Sequence, residues 1–244
     1  MFPLKSLDKR SESDEYLDSP AIDGKDLEES FKFMRFVNRC GGGYKTAIRG
    51  LENALGARPK SKPVEILDVG CGTGDMGLAV SRWGRGRGFD IRYTGIDKNE
   101  WVVRSAIERS GNRNIRYRTG DLFKADLPEA DFVMASMVMH HLNDRDVARA
   151  IVHLLNRSRH ALIINDLIRS PVSYVLCRIL TLFTGDINRN DALLSVRKGF
   201  RVNEMRALLD GLKIAAHIEK RPWGRLLMII PKNTLVDKSQ QKAD

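Results

Sequence analysis

The chain has 244 residues, 42% hydrophobic and 30% charged, which suits one sizeable globular domain with additions and excludes a collagen-like or highly charged disordered chain. No apolar run approaches the roughly 18 residues of a membrane span, and Met1-Phe2-Pro3-Leu4-Lys5 leads directly into a charged segment, not into the apolar centre of a signal peptide. The net charge of +10 is dispersed, densest at Arg82-Trp83-Gly84-Arg85-Gly86-Arg87, and reads as a solvated surface more readily than as a nucleic-acid stripe.

Residues 1–26 are polar and acid-rich and are expected to form a loose leader. From Leu27 the apolar spacing turns helical, and Gly41-Gly42-Gly43 divides the segment into two helices, the second running through Ala47, Ile48, Leu51 and Leu55 to Gly56. Pro59 and Pro63 then lead to Val64–Val69, a run that suits a parallel strand covered on both faces. A turn with glycines at 70, 72 and 74 follows, and Met76, Leu78, Ala79 and Trp83 mark a helix behind it. Such a strand–turn–helix unit leaves free N–H groups in the crevice at the carboxyl edge of a sheet, where open α/β sheets bind ligands. The spacing is G-x-G-x-G, not the G-x-G-x-x-G of dinucleotide enzymes, and Asp68 precedes the first glycine. A carboxylate there repels a pyrophosphate and favours an ammonium or sulfonium group.

Further strands are expected at Phe89–Asp97, Ile115–Thr119, Asp131–Ser136 and Ala161–Ile164, with helices between them at Val102–Ile107 and Val147–Leu155. Asp97, at the end of the second strand, can accept hydrogen bonds from two ribose hydroxyls, and either Asp97 or Asn99 can cap the next helix. Asn143 is the expected N-cap of the helix over Val147–Leu155. Pro171 opens a helix apolar on most sides, through Val172, Val175, Ile179, Leu182 and Phe183; core packing and a lipid-facing lid explain it equally. Gly185 to Gly199 reads as a polar loop. Met205, Leu208 and Leu209 mark a short helix ending at Gly211. Strands at Lys213–Glu219 and Leu226–Ile230, joined across Arg221-Pro222-Trp223-Gly224, form an antiparallel hairpin, and a polar tail expected to be disordered follows Pro231. The expected division is therefore 1–58 leader and helical cap, 59–232 main domain and 233–244 tail. Cys40, Cys71 and Cys177 are too scattered for a disulfide framework or a zinc pattern; no metal is expected, and a reducing cytoplasm is the expected setting.

The stretch Val64–Asp75 resembles the first motif of class I S-adenosylmethionine-dependent methyltransferases, and the likeness extends by order and spacing to about Pro231. It implies an α/β, doubly wound Rossmann-like sheet of about seven strands, mostly parallel with an antiparallel C-terminal hairpin, beneath an N-terminal helical cap. It implies S-adenosylmethionine as cofactor, bound by Asp68, Gly70, Gly72, Gly74, Asp97 on the ribose, the adjoining Lys98, Asp121 and Leu122 at the adenine, and Ser136. His140-His141-Leu142 after the fourth strand resembles small-molecule methyltransferases, not the N-P-P-Y type that acts on base amines. The expected acceptor is thus a small apolar compound, phenolic or polyketide-like, methylated on oxygen in preference to carbon; the alternatives are an RNA or protein methyltransferase, which the net charge leaves open, and a non-catalytic S-adenosylmethionine-binding protein. Contact with a lipid surface and the oligomeric state stay open. His141 or His140 is the candidate general base, the alternative being that both brace the pocket. Arg197 and Tyr44 are the candidate acceptor contacts, Arg197 as holder of an acidic oxygen or as a surface ion pair. Ser195-Val196-Arg197, Gly199 and Phe200 also resemble these enzymes, except that Arg201 stands where the family has a capping Thr.

Overall fold

A computed structural model describes residues 7–18, 24–111, 114–182 and 184–234. Its strands β1 (Val64–Val69), β2 (Ile91–Asp97), β3 (Ile115–Thr119), β4 (Ala130–Ser136), β5 (Ser158–Leu167), β6 (His217–Arg221) and β7 (Arg225–Pro231) form one sheet in the order β3-β2-β1-β4-β5-β7-β6. The first five pair in parallel; β7 lies antiparallel between β5 and β6. This is the Rossmann-like sheet that the strand patterns and the resemblance led us to expect. The chain winds outward from β1 to β3, then returns to start β4 on the other side of β1. The strand order therefore reverses at β1/β4, and the crevice opens at the carboxyl ends of those two strands.

Alternation along each strand sends side chains to opposite faces, and both faces are apolar because both are covered. Ile66, Tyr93, Phe132 and Ile163 pack with helices α2 (Gly43–Leu55), α3 (Asp75–Arg87) and α4 (Glu100–Ser110). Leu67, Val133, Leu162 and Met228 pack on the other face with α5 (Asp144–Arg157) and α8 (Val202–Gly211). Local chemistry sets the helix ends. The Asn143 side chain accepts the Asp146 N–H at 2.9 Å, as expected of that N-cap. At α4 the cap is Asn99, which accepts from the Val102 N–H at 3.2 Å and leaves Asp97 for other work. At Arg201, where Thr was missing, the Glu204 side chain instead accepts the Arg201 N–H at 2.8 Å.

Three expectations change. Gly185–Gly199 is not a loop: Asp186–Lys198 is a helix, α7. Its pattern hid it because much of its buried surface is polar. Asp191 is buried, accepting N–H bonds from Tyr16 at 3.0 Å and Leu17 at 2.9 Å, and Lys198 is buried beside Glu15. The apolar helix α6 (Pro171–Leu180) is not core: Val172, Val175 and Ile179 are exposed, and Ser173 is its one buried residue. Residues 7–18 are not loose. Leu7 and Glu15 are buried, and Arg10 donates to the carbonyls of Lys198, His140 and Leu142 at 2.8, 3.2 and 2.8 Å. Buried Arg169 holds the same segment through the Leu7 carbonyl at 3.0 Å. The leader expected at 1–6 and 19–23, Phe183, and the tail beyond residue 234 lie outside the described residues. The second helix of the cap, α2, packs on β5 and β7, and the first, α1 (Gly24–Cys40), crosses above the β1 turn.

Candidate active site

The β1 turn is built around glycine for two separate reasons. Gly70 has φ 75°, and a Cβ there would stand 2.3 Å from Val138 Cγ2. Gly74 has φ 80°, and a Cβ there would meet the Tyr117 hydroxyl at 2.6 Å, so this glycine lets α3 sit close to β3. Gly70 and Gly72 line the cavity at the carboxyl edge; Gly74 does not, and its part is packing.

That cavity has a volume of about 470 Å³. Asp68, Asp97, Lys98, Asp121, Leu122, Ser136, Tyr44, His140 and His141 all line it, so the topology gathers nearly every residue singled out by motif. Arg197 is the exception among the side chains: it is not part of the lining. Glu15, supplied by the N-terminal segment, and the α1 residues Phe31, Met34, Arg35 and Asn38 line it too, and no motif pointed to them.

The two acids at the β1 and β2 ends differ in state. Asp97 accepts the Gly72 N–H and the Asn99 N–H, both at 3.0 Å, and so ties the two turns together while retaining lone pairs toward the cavity. Asp68 is fully buried; Tyr93 donates its hydroxyl to Oδ2, and Oδ1 has no hydrogen-bond partner among the described residues. Burial pushes the Asp68 carboxyl up to about 7 against the Tyr93 hydrogen bond, and the nearby Asp97 charge adds to the rise. A buried acceptor without a donor is costly, and a cationic donor at the cavity's inner end relieves it. The donor set fits S-adenosylmethionine: an orphan carboxylate oxygen for its cationic end, Asp97 for a ribose, and Leu122, Phe123 and Val102 with Asp121 for a flat heteroaromatic ring.

Opposite these groups, β4 and β5 present a second unit. Asp166, at the end of β5, is fully buried and accepts at Oδ1 from the His140 ring, with Nδ1 2.7 Å away. Its Oδ2 accepts the N–H of Met139 at 2.8 Å and of His140 at 3.3 Å. Burial alone would raise this carboxyl, but the His140 ring, the Leu167 N–H and His141 hold it below the usual carboxylate range. A carboxylate on Nδ1 assigns the proton to that nitrogen and leaves Nε2 as the ring's basic atom. The His141 ring lies against His140 with centroids 4.2 Å apart, and its Nδ1 is 4.0 Å from Glu15. Glu15 also accepts the Ser195 hydroxyl at 2.9 Å and pairs with Lys198 at 3.6 Å. Ligand atoms of Glu15, His140 and His141 lie within 4.8 Å of one another, a spacing a cation can span, though Lys198 already balances the carboxylate. Tyr44 is a half-buried phenol whose pKa burial pushes up to about 12, so it faces the cavity protonated.

Residues 66–159 match the family described as methyltransferase domain. Uncharacterized methyltransferases of Mycobacterium tuberculosis and Mycobacterium bovis are 35% identical over 86 residues, covering 34% of this chain and 40% of theirs, so the chain matches less than half of the length of these curated relatives. Among solved structures, the plantazolicin methyltransferase BpumL, in complex with a triazolic desmethylPZN analog and SAH, superposes with a TM-score of 0.68 at 16% identity, over 86% of this chain and 92% of that one. An O-methyltransferase family 2 protein from Planctomyces limnophilus, in complex with apigenin, gives 0.58 at 20% identity, over 88% of this chain and 63% of that one. At such identities the likeness is one of fold, and it agrees with the seven-stranded sheet and its closing hairpin. A sheet that reverses at β1/β4 and a G-x-G-x-G turn between two acids agree with the match of residues 66–159 to the methyltransferase domain family, whose Rossmann-like fold this chain shares.

Proposed function

We propose that the protein transfers a methyl group from S-adenosylmethionine to an oxygen of a small apolar acceptor, phenolic or polyketide-like, with carbon methylation as the variant chemistry. The observation that carries this reading is the His140–Asp166 pair, which opens onto the same cavity as Asp68 and Asp97. The bound cofactor supplies an electrophilic methyl on a sulfonium. The chain's own tasks are to align the acceptor, exclude water and remove a proton. Asp97 holds the ribose hydroxyls, and Asp68 faces the amino-acid end. Leu122 and Phe123 would pack against the adenine, with Asp121 and Lys98 at its rim, and Ser136 would complete the cofactor's lining from the end of β4.

His140 acts as the base, accepting the acceptor's hydroxyl proton at Nε2. Asp166 fixes the tautomer and steadies the charged ring, the role a buried carboxylate has behind a catalytic histidine. His141, half exposed and beside Glu15, braces the ring and walls the acceptor end. The cavity's α1 face is apolar at Phe31 and Met34, which suits an aromatic acceptor, and a neighbour of the same fold holds apigenin, a polyphenol. The basic residues among the cavity's lining are Lys98, Arg35 and the two histidines, not the run of Lys and Arg an RNA strand needs. The test is turnover by the protein with S-adenosylmethionine against a panel of phenols, hydroxyquinones and hydroxy-pyrones, read by mass. An adduct of one methyl on oxygen supports the reading. Tight S-adenosylhomocysteine binding with no product from any panel member would leave a methyltransferase of another acceptor class.

A further inference from the structure

One buried cation, behind the lining residues Asn38 and Met137, has no anion among the described residues. Arg225, the first residue of β7, is 2% exposed and sits at the carboxyl edge, paired across the ladder with Leu167 at the end of β5. Its Nη2 donates to Asn38 Oδ1 at 2.8 Å, and its Nη1 lies 2.5 Å from the Met137 thioether. Among the described residues it forms no ion pair. The carboxylate whose field reaches it, Asp166, is already saturated by His140 and by the N–H groups of Met139, His140 and Leu167. Burial pushes the guanidinium down to about 10, which still leaves it charged at neutral pH. A buried charge is costly unless paired, and a thioether and an amide oxygen are weak compensation.

The contacts of Arg225 are themselves cavity walls. Asn38 and Met137 both line the cavity, as does Tyr44, whose ring stands close enough to feel the guanidinium charge. Met137 has φ 63°, a left-handed conformation that strains a non-glycine residue, and its thioether lies against Arg225. Next to it, Asn165 Oδ1 is buried without a partner. The acceptor end of the cavity is therefore backed by a cation, a phenolic hydroxyl and a strained side chain that screens them.

We infer that Arg225 is the specificity residue of the acceptor subsite: it selects acceptors that carry an anionic oxygen group, such as an aromatic carboxylate, beside the oxygen that is methylated. This inference rests on the proposed reaction and names its substrate class. Met137 and Asn38 yield as the anion reaches the guanidinium, and a charge-assisted bond replaces the thioether contact. Arg225 is not itself in the lining but stands directly behind Asn38 and Met137, which are; Arg197, to which the sequence offered the role, is likewise outside the lining.

The experiment is calorimetry on the full chain saturated with S-adenosylhomocysteine, comparing 1-hydroxy-2-naphthoate with 1-hydroxy-2-naphthamide, two probes of equal shape that differ in charge. The acid is expected to bind about tenfold tighter or more. Arg225→Met is expected to abolish that preference, and Arg225→Lys to retain part of it. Equal binding of the two probes, binding of neither at millimolar concentration, or an unchanged preference in Arg225→Met overturns the inference. The wild-type comparison stands even if Arg225→Met fails to fold. Saturation with S-adenosylhomocysteine is verified first, so loss of cofactor binding counts against the methyltransferase reading and a missing acid preference against Arg225 alone.

Discussion

At the scale of the residue, ionisation separates the buried carboxyls Asp68 and Asp166, the first raised and the second lowered. Asp68 keeps its proton up to about pH 7 in the folded chain but only to about 3.8 as a free side chain. The folded state therefore holds the extra proton between those values, and Asp68's contribution to stability falls as pH rises through that window. A cationic ligand at Oδ1 favours the charged form and lowers the bound-state pKa. Affinity for S-adenosylhomocysteine should then decline as pH drops below about 7, by up to tenfold per unit, with a proton released on binding; calorimetry in buffers of different ionisation enthalpy reads both. Asp68→Asn should flatten that dependence. Asp97→Ala should weaken the same ligand by ~10- to 100-fold, the worth of charged hydrogen bonds, and unchanged affinity would remove Asp97 from the ribose. His140→Ala and Asp166→Asn should slow turnover by ~10²- to 10⁴-fold while leaving S-adenosylhomocysteine affinity within a few-fold. If His141→Ala alone lost turnover to that extent, the base would be the neighbouring ring.

At the scale of the element, what the sequence revealed and what it hid follow from where burial is apolar. β1, β4 and β5 are continuous apolar runs covered on both faces, and α5 shows a clean stripe of Val147, Ile151, Leu154 and Leu155, so both kinds were readable from pattern. α7 was unreadable because Asp191 and Lys198 occupy buried positions and are stabilised by contacts from a segment some 175 and more residues away. The same long-range polar contacts conceal the docking of residues 7–18, and with it Glu15, which no local pattern marks as a cavity residue. Asp191→Ala should free the Tyr16 and Leu17 amides, and hydrogen exchange at those two positions should accelerate without global unfolding. For α6 the sequence left core packing and an outward apolar face as equal readings, and the exposure of Val172, Val175 and Ile179 removes the first. Val172→Lys and Ile179→Lys should therefore each change stability by less than about 0.5 kcal/mol in denaturant unfolding, whereas core positions would lose several.

At the scale of the whole molecule, the motif residues were legible because a parallel sheet brings the carboxyl ends of β1, β2, β4 and β5 to one edge. Asp68, Asp97, Ser136 and Asp166 are far apart in sequence and share that edge by topology alone. The rest of the wall was not legible in the same way. It is lined by α1 and by Glu15 of the N-terminal segment, with the buried Arg225 behind Asn38 and Met137, and no one-dimensional pattern carries such contacts. The lining thus has two origins: residues written into short motifs, and residues brought in by long-range contacts. Among the described residues no helix is long and apolar enough to cross a membrane.

The central claim is that the crevice above Gly70–Gly74 holds S-adenosylmethionine between Asp68 and Asp97. A crystal structure of the full chain with S-adenosylhomocysteine tests it most directly. Density with the ribose hydroxyls on the Asp97 carboxylate and the amino-acid end toward Asp68 Oδ1 is the expected result. An empty crevice at saturating ligand, or a nucleoside seated with its ribose away from Asp97, would contradict the account.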